Sequence, residues 1–87
     1  MSYECHITSM TAHAPRLAEL AERSGWKTSE IARDPVLGDD TYFYLTKHSH
    51  DFPEIFVAMT NMATVLEAND IPVVRKKIEL IVYDTKK

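Results

Sequence analysis

Cysteine, glycine and long apolar runs are all scarce in this sequence. The 87 residues include one cysteine and two glycines, and no segment approaches the roughly 20 consecutive apolar residues of a membrane span. Cys5 alone cannot form an intramolecular disulfide or a cysteine-based metal site, which favours a reducing compartment. No N-terminal stretch has the basic region and apolar core of a signal peptide. These absences predict a cytoplasmic protein without a membrane partner.

Positive charge is also too scarce for a general nucleic-acid binder. The formal net charge is -3, whereas binding to phosphate backbones needs clustered lysine and arginine. Contents of 45% hydrophobic and 26% charged residues are those of a globular protein. A chain of this length cannot bury two separate cores, so residues 1–87 are expected to form one domain. No cofactor fingerprint occurs, and we expect no cofactor.

Six segments show the periodicity of a secondary-structure element. A period of two, as in residues 3–8, predicts a strand with one buried face, and apolar residues three or four apart predict an amphipathic helix. The segment 34–40 is rich in turn formers and predicts a hairpin connection. The predicted order of strand, helix, strand, strand, helix and strand covers residues 3–8, 11–25, 26–33, 41–48, 51–68 and 73–85.

Local signals mark where the helices begin and end. Thr11 or His13 is expected to cap the first helix. Before the second helix, Asp51 and Glu54 have the three-residue spacing of a reciprocal capping box. Asn69 is the residue expected to take a left-handed conformation where that helix ends. Each helix is therefore predicted to have defined limits.

This order of elements predicts a ferredoxin-like α+β sandwich. Right-handed crossovers place two helices on one face of a four-stranded antiparallel sheet. The first and third strands are then central, and the second and fourth strands are edges. The other face of the sheet is left open, and functional side chains are expected there.

Strand parity assigns each side chain to one face of the sheet. The side chains predicted to point toward the helices are Cys5, Ile7, Phe43, Leu45, Ile78, Leu80 and Val82. The side chains predicted to share the open face are His6, Thr8, Tyr44, Thr46, Arg75, Lys77 and Glu79. The second set combines two cations, a titratable imidazole and several hydroxyl groups.

This open-face set permits two interpretations. An antiparallel sheet with one solvated face normally shows polar alternation, and threonine and tyrosine are good strand formers. Alternatively, His6, Arg75 and Lys77 converge near the centre of the sheet, where charge-assisted hydrogen bonds would bind a phosphate or another anion. The second interpretation predicts an anionic or phosphorylated small molecule as the ligand.

The tetrapeptide HITS, residues 6–9, resembles the His-x-Thr motif of the two-histidine (2H) phosphoesterases. In that family, two such motifs from two pseudo-symmetric lobes flank a phosphodiester, and the histidines act as acid and base. The resemblance implies that His6 is a catalytic, proton-transferring residue and that Thr8 binds phosphate. The chain has one such motif, since its other histidine-rich stretch, KHSHD, lacks the spacing. The resemblance therefore implies a phosphodiesterase that dimerises to supply two histidines.

Other candidate ligands receive structural interpretations. His48 and His50 are expected in an exposed loop before the second helix, and two histidines without further nearby ligands do not make a metal site. Asp34, Asp39 and Asp40 bracket the hairpin connection, where acidic residues usually serve turns. We therefore predict no metal site.

The second predicted helix has no charged residue between Glu54 and Glu67, and apolar residues lie on more than one of its faces. Ile55, Met59, Met62 and Leu66 would suit the core. Phe56, Val57 and Ala63 would be left to another surface, which predicts a homo-oligomer. A protein-interaction module acting through this helix is a further alternative, and the sequence leaves open whether the chain is an enzyme.

Overall fold

The computed structural model describes residues 1–31 and 42–82. Its elements are β1 (Ser2–Met10), a 3-10 helix (Thr11–His13), α1 (Ala14–Arg23), β2 (Lys27–Ile31), β3 (Tyr42–Ser49), α2 (Phe52–Ala68) and β4 (Arg75–Ile81). The α+β class and the order of strands and helices are confirmed. The predicted hairpin connection, with Asp34, Asp39 and Asp40, lies outside the described residues.

The four strands form one antiparallel sheet in the order β2-β3-β1-β4. β1 pairs on both sides, so that Ile7 lies opposite Leu45 of β3 and opposite Lys76 of β4. β1 and β3 are therefore central, as predicted. The connection through α1 runs from β1 to β2, and the connection through α2 runs from β3 to β4. Each helix thus links two parallel strands that have a third strand between them.

Side chains from both helices and from one face of the sheet form a single hydrophobic cluster. Cys5 and Ile7 of β1 are fully buried in it, and Leu45 of β3 is 1% exposed. The helix residues of the cluster are Leu17, Leu20, Ala21, Ile55, Met59, Met62 and Leu66. Burying one large apolar side chain contributes about 1.5–3 kcal/mol relative to leaving it exposed. This cluster is therefore the main source of the stability of the fold.

The N-termini of the helices differ from the predicted caps. His13 occupies the cap position of α1, and its side chain makes no capping hydrogen bond. Asp51 precedes α2, but its side chain makes no capping hydrogen bond either, so the predicted capping box with Glu54 is wrong. The reason is local: the backbone N–H of Asp51 donates to Ser49 Oγ at 3.0 Å. That N–H is the group that Glu54 would have bound in a capping box.

A residue with left-handed backbone conformation follows the C-terminus of each helix. Gly25 follows α1 with a φ of 73°, which glycine adopts without steric cost. After α2 the left-handed residue is Asp70 (φ 59°) and not Asn69 (φ -100°), contrary to the prediction. Asn69 instead donates from Nδ2 to the backbone oxygen of Val65 at 2.7 Å.

No helix in residues 1–31 and 42–82 has both the length and the apolar character needed to cross a membrane.

Three apolar residues depart from the predicted burial. Leu80 and Val82 are 49% and 68% exposed, because they lie on or just after an edge strand that has no neighbour on one flank. Ala63 is 3% exposed, although it was assigned to the surface. It lies four residues after Met59 and three before Leu66, so helical spacing places it on their buried stripe.

Candidate functional site

Three rows of paired residues cross the sheet on the face opposite the helices. The Thr8 row contains Ser29, Tyr44, Thr8 and Arg75. The His6 row contains Lys27, Thr46, His6 and Lys77. The Glu4 row contains His48, Glu4 and Glu79. Residues directly opposite each other in an antiparallel sheet have Cβ atoms about 4.5–5.5 Å apart, so each row joins side chains that are distant in sequence.

The Thr8 row and most of the His6 row line a cavity of about 220 Å³. The described lining residues are His6, Thr8, Ser29, Tyr44, Thr46, Arg75 and Lys77. Six of these are predicted site residues, so strand parity correctly brings them together. The remaining predicted residue, Glu79, lies in the Glu4 row, where it contacts His6. Ser29 was not predicted, because its place depends on the pairing of β2 with β3.

The cavity is more buried at one end than an open sheet face would be. Thr8 is 3% exposed and Tyr44 is 8% exposed, although both lie on the face opposite the helices. At the other end, the side chain of His6 is 21% exposed and that of Lys77 is 40% exposed. The expectation of an open, solvated face is therefore wrong at Thr8 and Tyr44, although Ser29 in the same row is exposed. A polar group that enters this end is partly shielded from water, which strengthens its hydrogen bonds.

Both ring nitrogens of His6 have polar neighbours. Nδ1 lies 3.1 Å from Thr46 Oγ1 in the same row. Nε2 lies 2.5 Å from Glu4 Oε1 and 3.2 Å from Glu79 Oε1. If Nδ1 carries the proton and donates to Thr46, the lone pair of Nε2 faces two carboxylate oxygens, which is electrostatically unfavourable. The arrangement therefore favours a proton or another cation at Nε2.

Glu4 lies between His6 and His48. Its second carboxylate oxygen, Oε2, is 2.5 Å from His48 Nε2. Burial of the Glu4 carboxyl raises its pKa, but the hydrogen bond to His48 and the charge of His6 together outweigh that effect, so the pKa lies below its ordinary value. Glu4 is therefore an anion at neutral pH, held by an imidazole on each side.

The two histidines of KHSHD occupy different environments. His48 belongs to β3 and to the Glu4 row, in agreement with the predicted strand 41–48 and contrary to its assignment to a loop, because β3 continues to Ser49. His50 lies after the strand, and its Nδ1 is 2.9 Å from the backbone oxygen of Met1. The contact of His48 with Glu4 could have been anticipated from parity, which places both on the same face.

The cations of β4 are only partly neutralised within the described residues. Lys77 Nζ lies 3.5 Å from Glu79 Oε1. No carboxylate oxygen of residues 1–31 or 42–82 lies within 4.0 Å of the Arg75 guanidinium. Lys76, between them, points to the other face of the sheet, because it pairs with Ile7. Arg75 and Lys77 therefore place two like charges on the β4 side of the cavity, where they repel each other.

Cys5 stands apart from these polar groups. It lies between Glu4 and His6 in sequence, but it points into the core and is fully buried. Burial raises the pKa of the Cys5 thiol to about 11. A protonated, buried thiol is a poor nucleophile and a poor metal ligand, so Cys5 contributes packing alone.

No protein-family model matches this chain, and no curated protein matches it at a significant level. The three rows and the cavity they line are therefore the basis for assigning a function.

Proposed function

We propose that this chain is a cytoplasmic, ferredoxin-like domain that binds an anionic or phosphorylated small molecule in the cavity opposite the helices. The observation that carries the proposal is the convergence of Arg75 and Lys77 with hydroxyl groups of two central strands in one cavity. The strand order and the helical connections between parallel strands support the ferredoxin-like topology.

Charge favours an anionic ligand. The cationic groups of Arg75 and Lys77 lie on the same side of the cavity, and the nearest described carboxylate contact is that of Lys77 with Glu79. A phosphate accepts hydrogen bonds from a guanidinium, an ammonium and hydroxyl groups at once, and such charge-assisted bonds are about twice as strong as neutral ones. A neutral ligand would leave the repulsion between the two cations in place.

Cavity size favours a small ligand. Sites for drug-sized molecules usually enclose about 300–1,000 Å³, whereas this cavity has about 220 Å³. Thr8 and Thr46 offer hydroxyl groups, and Ser29 extends the hydroxyl-bearing wall to β2. Inorganic phosphate or the phosphate end of a small ester fits these donors, while the rest of a larger ligand would extend into solvent.

The test compares two neighbouring cations of one strand. Binding of inorganic phosphate and of a mononucleotide is measured by calorimetry for the wild type, for Arg75→Gln and for Lys76→Gln. Loss of one charge-assisted contact is expected to weaken binding by about 1.5–3 kcal/mol in Arg75→Gln. Lys76→Gln removes the same charge from the other face and should bind almost as the wild type does.

Two outcomes would count against this proposal. Equal weakening in both variants would indicate a nonspecific effect of net charge. Failure of every anion to bind the folded wild type would remove the proposed function altogether.

A second candidate is a dimeric phosphodiesterase of the two-histidine type, favoured by the presence of His6 and Thr8 in the same cavity. The His6 ring would have to leave its contacts with Glu4 and Thr46 before it could exchange a proton with a substrate. Hydrolysis of an activated phosphodiester by the wild type, lost in His6→Ala while phosphate binding is retained, would establish it. Absence of turnover in the wild type would exclude it for that substrate.

We further propose that the chain self-associates through an apolar patch formed by Tyr3, Phe52, Phe56 and Leu80. The rings of Tyr3 and Phe52 are 5.4 Å apart in an edge arrangement, and those of Phe52 and Phe56 are 6.1 Å apart. Leu80 lies opposite Tyr3 on the edge strand. Phe52, Phe56 and Leu80 are each 44–49% exposed, so these large apolar side chains leave much of their surface uncovered around Tyr3.

Charge complementarity favours a second copy of this chain as the occupant. If β4 pairs with β4 of another copy about a two-fold axis at Ile78, Lys77 lies opposite Glu79 of that copy. Lys76 then lies opposite Leu80, so no like charges oppose each other across the edge. The same axis brings the two apolar patches next to the shared edge.

Sedimentation velocity at micromolar concentration tests this association. The wild type is expected at twice the 10.0 kDa mass of one chain, and Phe56→Asp is expected to be a monomer. Val65→Asp is the matched control, because Val65 is 40% exposed on the same helix but lies nine residues away, on the opposite side. A monomeric wild type, or dissociation by both substitutions, would contradict the proposed interface.

A further inference from the structure

We propose that Glu4, His6 and Glu79 form a binding site for a divalent transition-metal ion at the edge of the cavity. The site goes beyond the proposed anion binding and does not depend on it. It rests on the convergence of three ligand atoms and on the contacts that orient them.

The three ligand atoms surround one point. His6 Nε2 lies 2.5 Å from Glu4 Oε1 and 3.2 Å from Glu79 Oε1, and the ligand atoms of the trio all lie within 4.8 Å of one another. Among residues 1–31 and 42–82, this is the one such group of three or more histidine, cysteine or acidic side chains. An ion placed among these atoms could reach all three with small side-chain rotations.

Sheet register explains why the ligands meet. Glu4 lies directly opposite Glu79, and His6 follows Glu4 by two residues on the same face. Two carboxylates placed opposite each other on one face repel, which destabilises the pairing unless a cation lies between them. A metal ion would relieve this repulsion and would also replace the proton at His6 Nε2.

His6 and Glu4 each have a second contact of the kind that orients metal ligands. His6 Nδ1 lies 3.1 Å from Thr46 Oγ1. With a metal ion on Nε2, Nδ1 would carry the ring proton and donate it to that hydroxyl, which is the kind of contact that holds a metal-bound histidine in place. The other oxygen of Glu4 contacts His48 Nε2, whereas Lys77 Nζ contacts Glu79 Oε1, the same oxygen that lies near His6. His48 and Lys77 would also compete with a metal ion for these carboxylates, and both are exposed enough to move.

The ligand set determines the class of metal. One imidazole nitrogen and two carboxylate oxygens suit Zn²⁺, Mn²⁺ and related first-row ions, whereas Mg²⁺ and Ca²⁺ favour oxygen ligands alone. Three protein ligands leave at least one coordination position open. The cavity adjoins His6, so an anionic ligand in it could occupy that position.

Calorimetric titration of chelator-treated protein with Zn²⁺, in a buffer free of phosphate, tests the site. One Zn²⁺ per chain is expected, with Mg²⁺ binding much more weakly. Thr46→Val removes an orienting contact and should lower Zn²⁺ affinity by about 10- to 100-fold. Glu79→Gln removes a ligand and should lower it by more, and this half-exposed residue can be replaced without loss of the fold, which circular dichroism would verify.

Two control variants address other sources of Zn²⁺ binding. His50→Asn removes a histidine outside the trio, and Glu22→Gln removes an exposed carboxylate from α1; neither should change the affinity. NMR of the imidazole nitrogens should show the Zn²⁺-induced shift at His6 Nε2. Absence of Zn²⁺ binding, or binding that persists in Glu79→Gln but is lost in His50→Asn, would overturn the site.

The proposed anion site and the proposed metal site can be tested independently of each other. Arg75→Gln should keep Zn²⁺ binding, because Arg75 lies in the Thr8 row and not in the trio. Zn²⁺ binding without phosphate binding would leave the metal site and remove the anion site. Phosphate binding without Zn²⁺ binding would do the reverse.

Discussion

The two faces of β1 differ in what surrounds their side chains. Cys5 and Ile7 lie against the helices, fully buried among apolar residues. Glu4, His6 and Thr8 alternate with them on the other face, where the neighbours carry charges or hydroxyl groups. One strand therefore supplies the core with one half of its residues and the candidate site with the other half.

The comparison shows how the core positions the site. A one-residue slip in the pairing of β1 with β3 would move Ile7 to the polar face and His6 into the core, so burial fixes the register strongly. Once Ile7 lies opposite Leu45, His6 must lie opposite Thr46. The apolar face thus determines which polar side chains meet, although it makes no contact with the cavity.

The largest expected effect on stability comes from comparing two adjacent residues of β3 that lie on opposite faces of the sheet. Leu45→Ala should lower the free energy of unfolding by about 2–5 kcal/mol, because it leaves a cavity in the core. Thr46→Val removes one hydrogen bond to His6 and should cost about 1 kcal/mol. Urea unfolding at pH 7 measures both. Equal losses would mean that the two faces contribute alike to stability.

A smaller effect comes from the thiol on the helix side. The pKa of Cys5 is raised to about 11 in the fold from an ordinary value of 9.0. The raised pKa means that the folded state favours the neutral thiol. The stability that Cys5 contributes is therefore fully present below pH 9 and is lost as the pH rises toward 11. Cys5→Ala should lose less stability than the wild type over this range. Identical pH profiles would show that Cys5 is not shielded as described.

The smallest effect is expected on the polar face. Arg75→Gln should change the free energy of unfolding by no more than about 0.5 kcal/mol, because Arg75 makes no ion pair within the described residues. Chemical denaturation of this variant beside Leu45→Ala provides the check. A loss as large as that of Leu45→Ala would make Arg75 a structural residue and would weaken the case for a ligand.

Much of the fold followed from local patterns. Period-two alternation located β1 and β3 and placed Cys5, Ile7 and Leu45 in the core, because a half-buried strand must alternate. Helical spacing did the same for Ile55 and Leu66 of α2. The caps were predicted less well, since Ser49 satisfies the backbone group that a capping box would have bound.

Strand parity predicted which side chains share the face opposite the helices, but it did not predict their contacts. Parity placed His6 and Glu79 on one face, yet the distance between them depends on the pairing of two strands separated by most of the chain. Ser29 was missed for the same reason, since its register against Tyr44 is not a local property. The burial of Thr8 could not be predicted either, because strand parity distinguishes only the two faces of a sheet.

Mapping of phosphate binding on the backbone amides of the wild type tests the central claim most directly. With a ¹⁵N-labelled protein, titration with inorganic phosphate is expected to shift the amide signals of Thr8, Thr46 and Arg75, which belong to the strands that line the cavity. Signals of α1, on the other side of the sheet, should move little. Saturable shifts confined to the cavity strands are the predicted result, and either no shift or shifts centred on the helices would contradict the assignment of this cavity as an anion site.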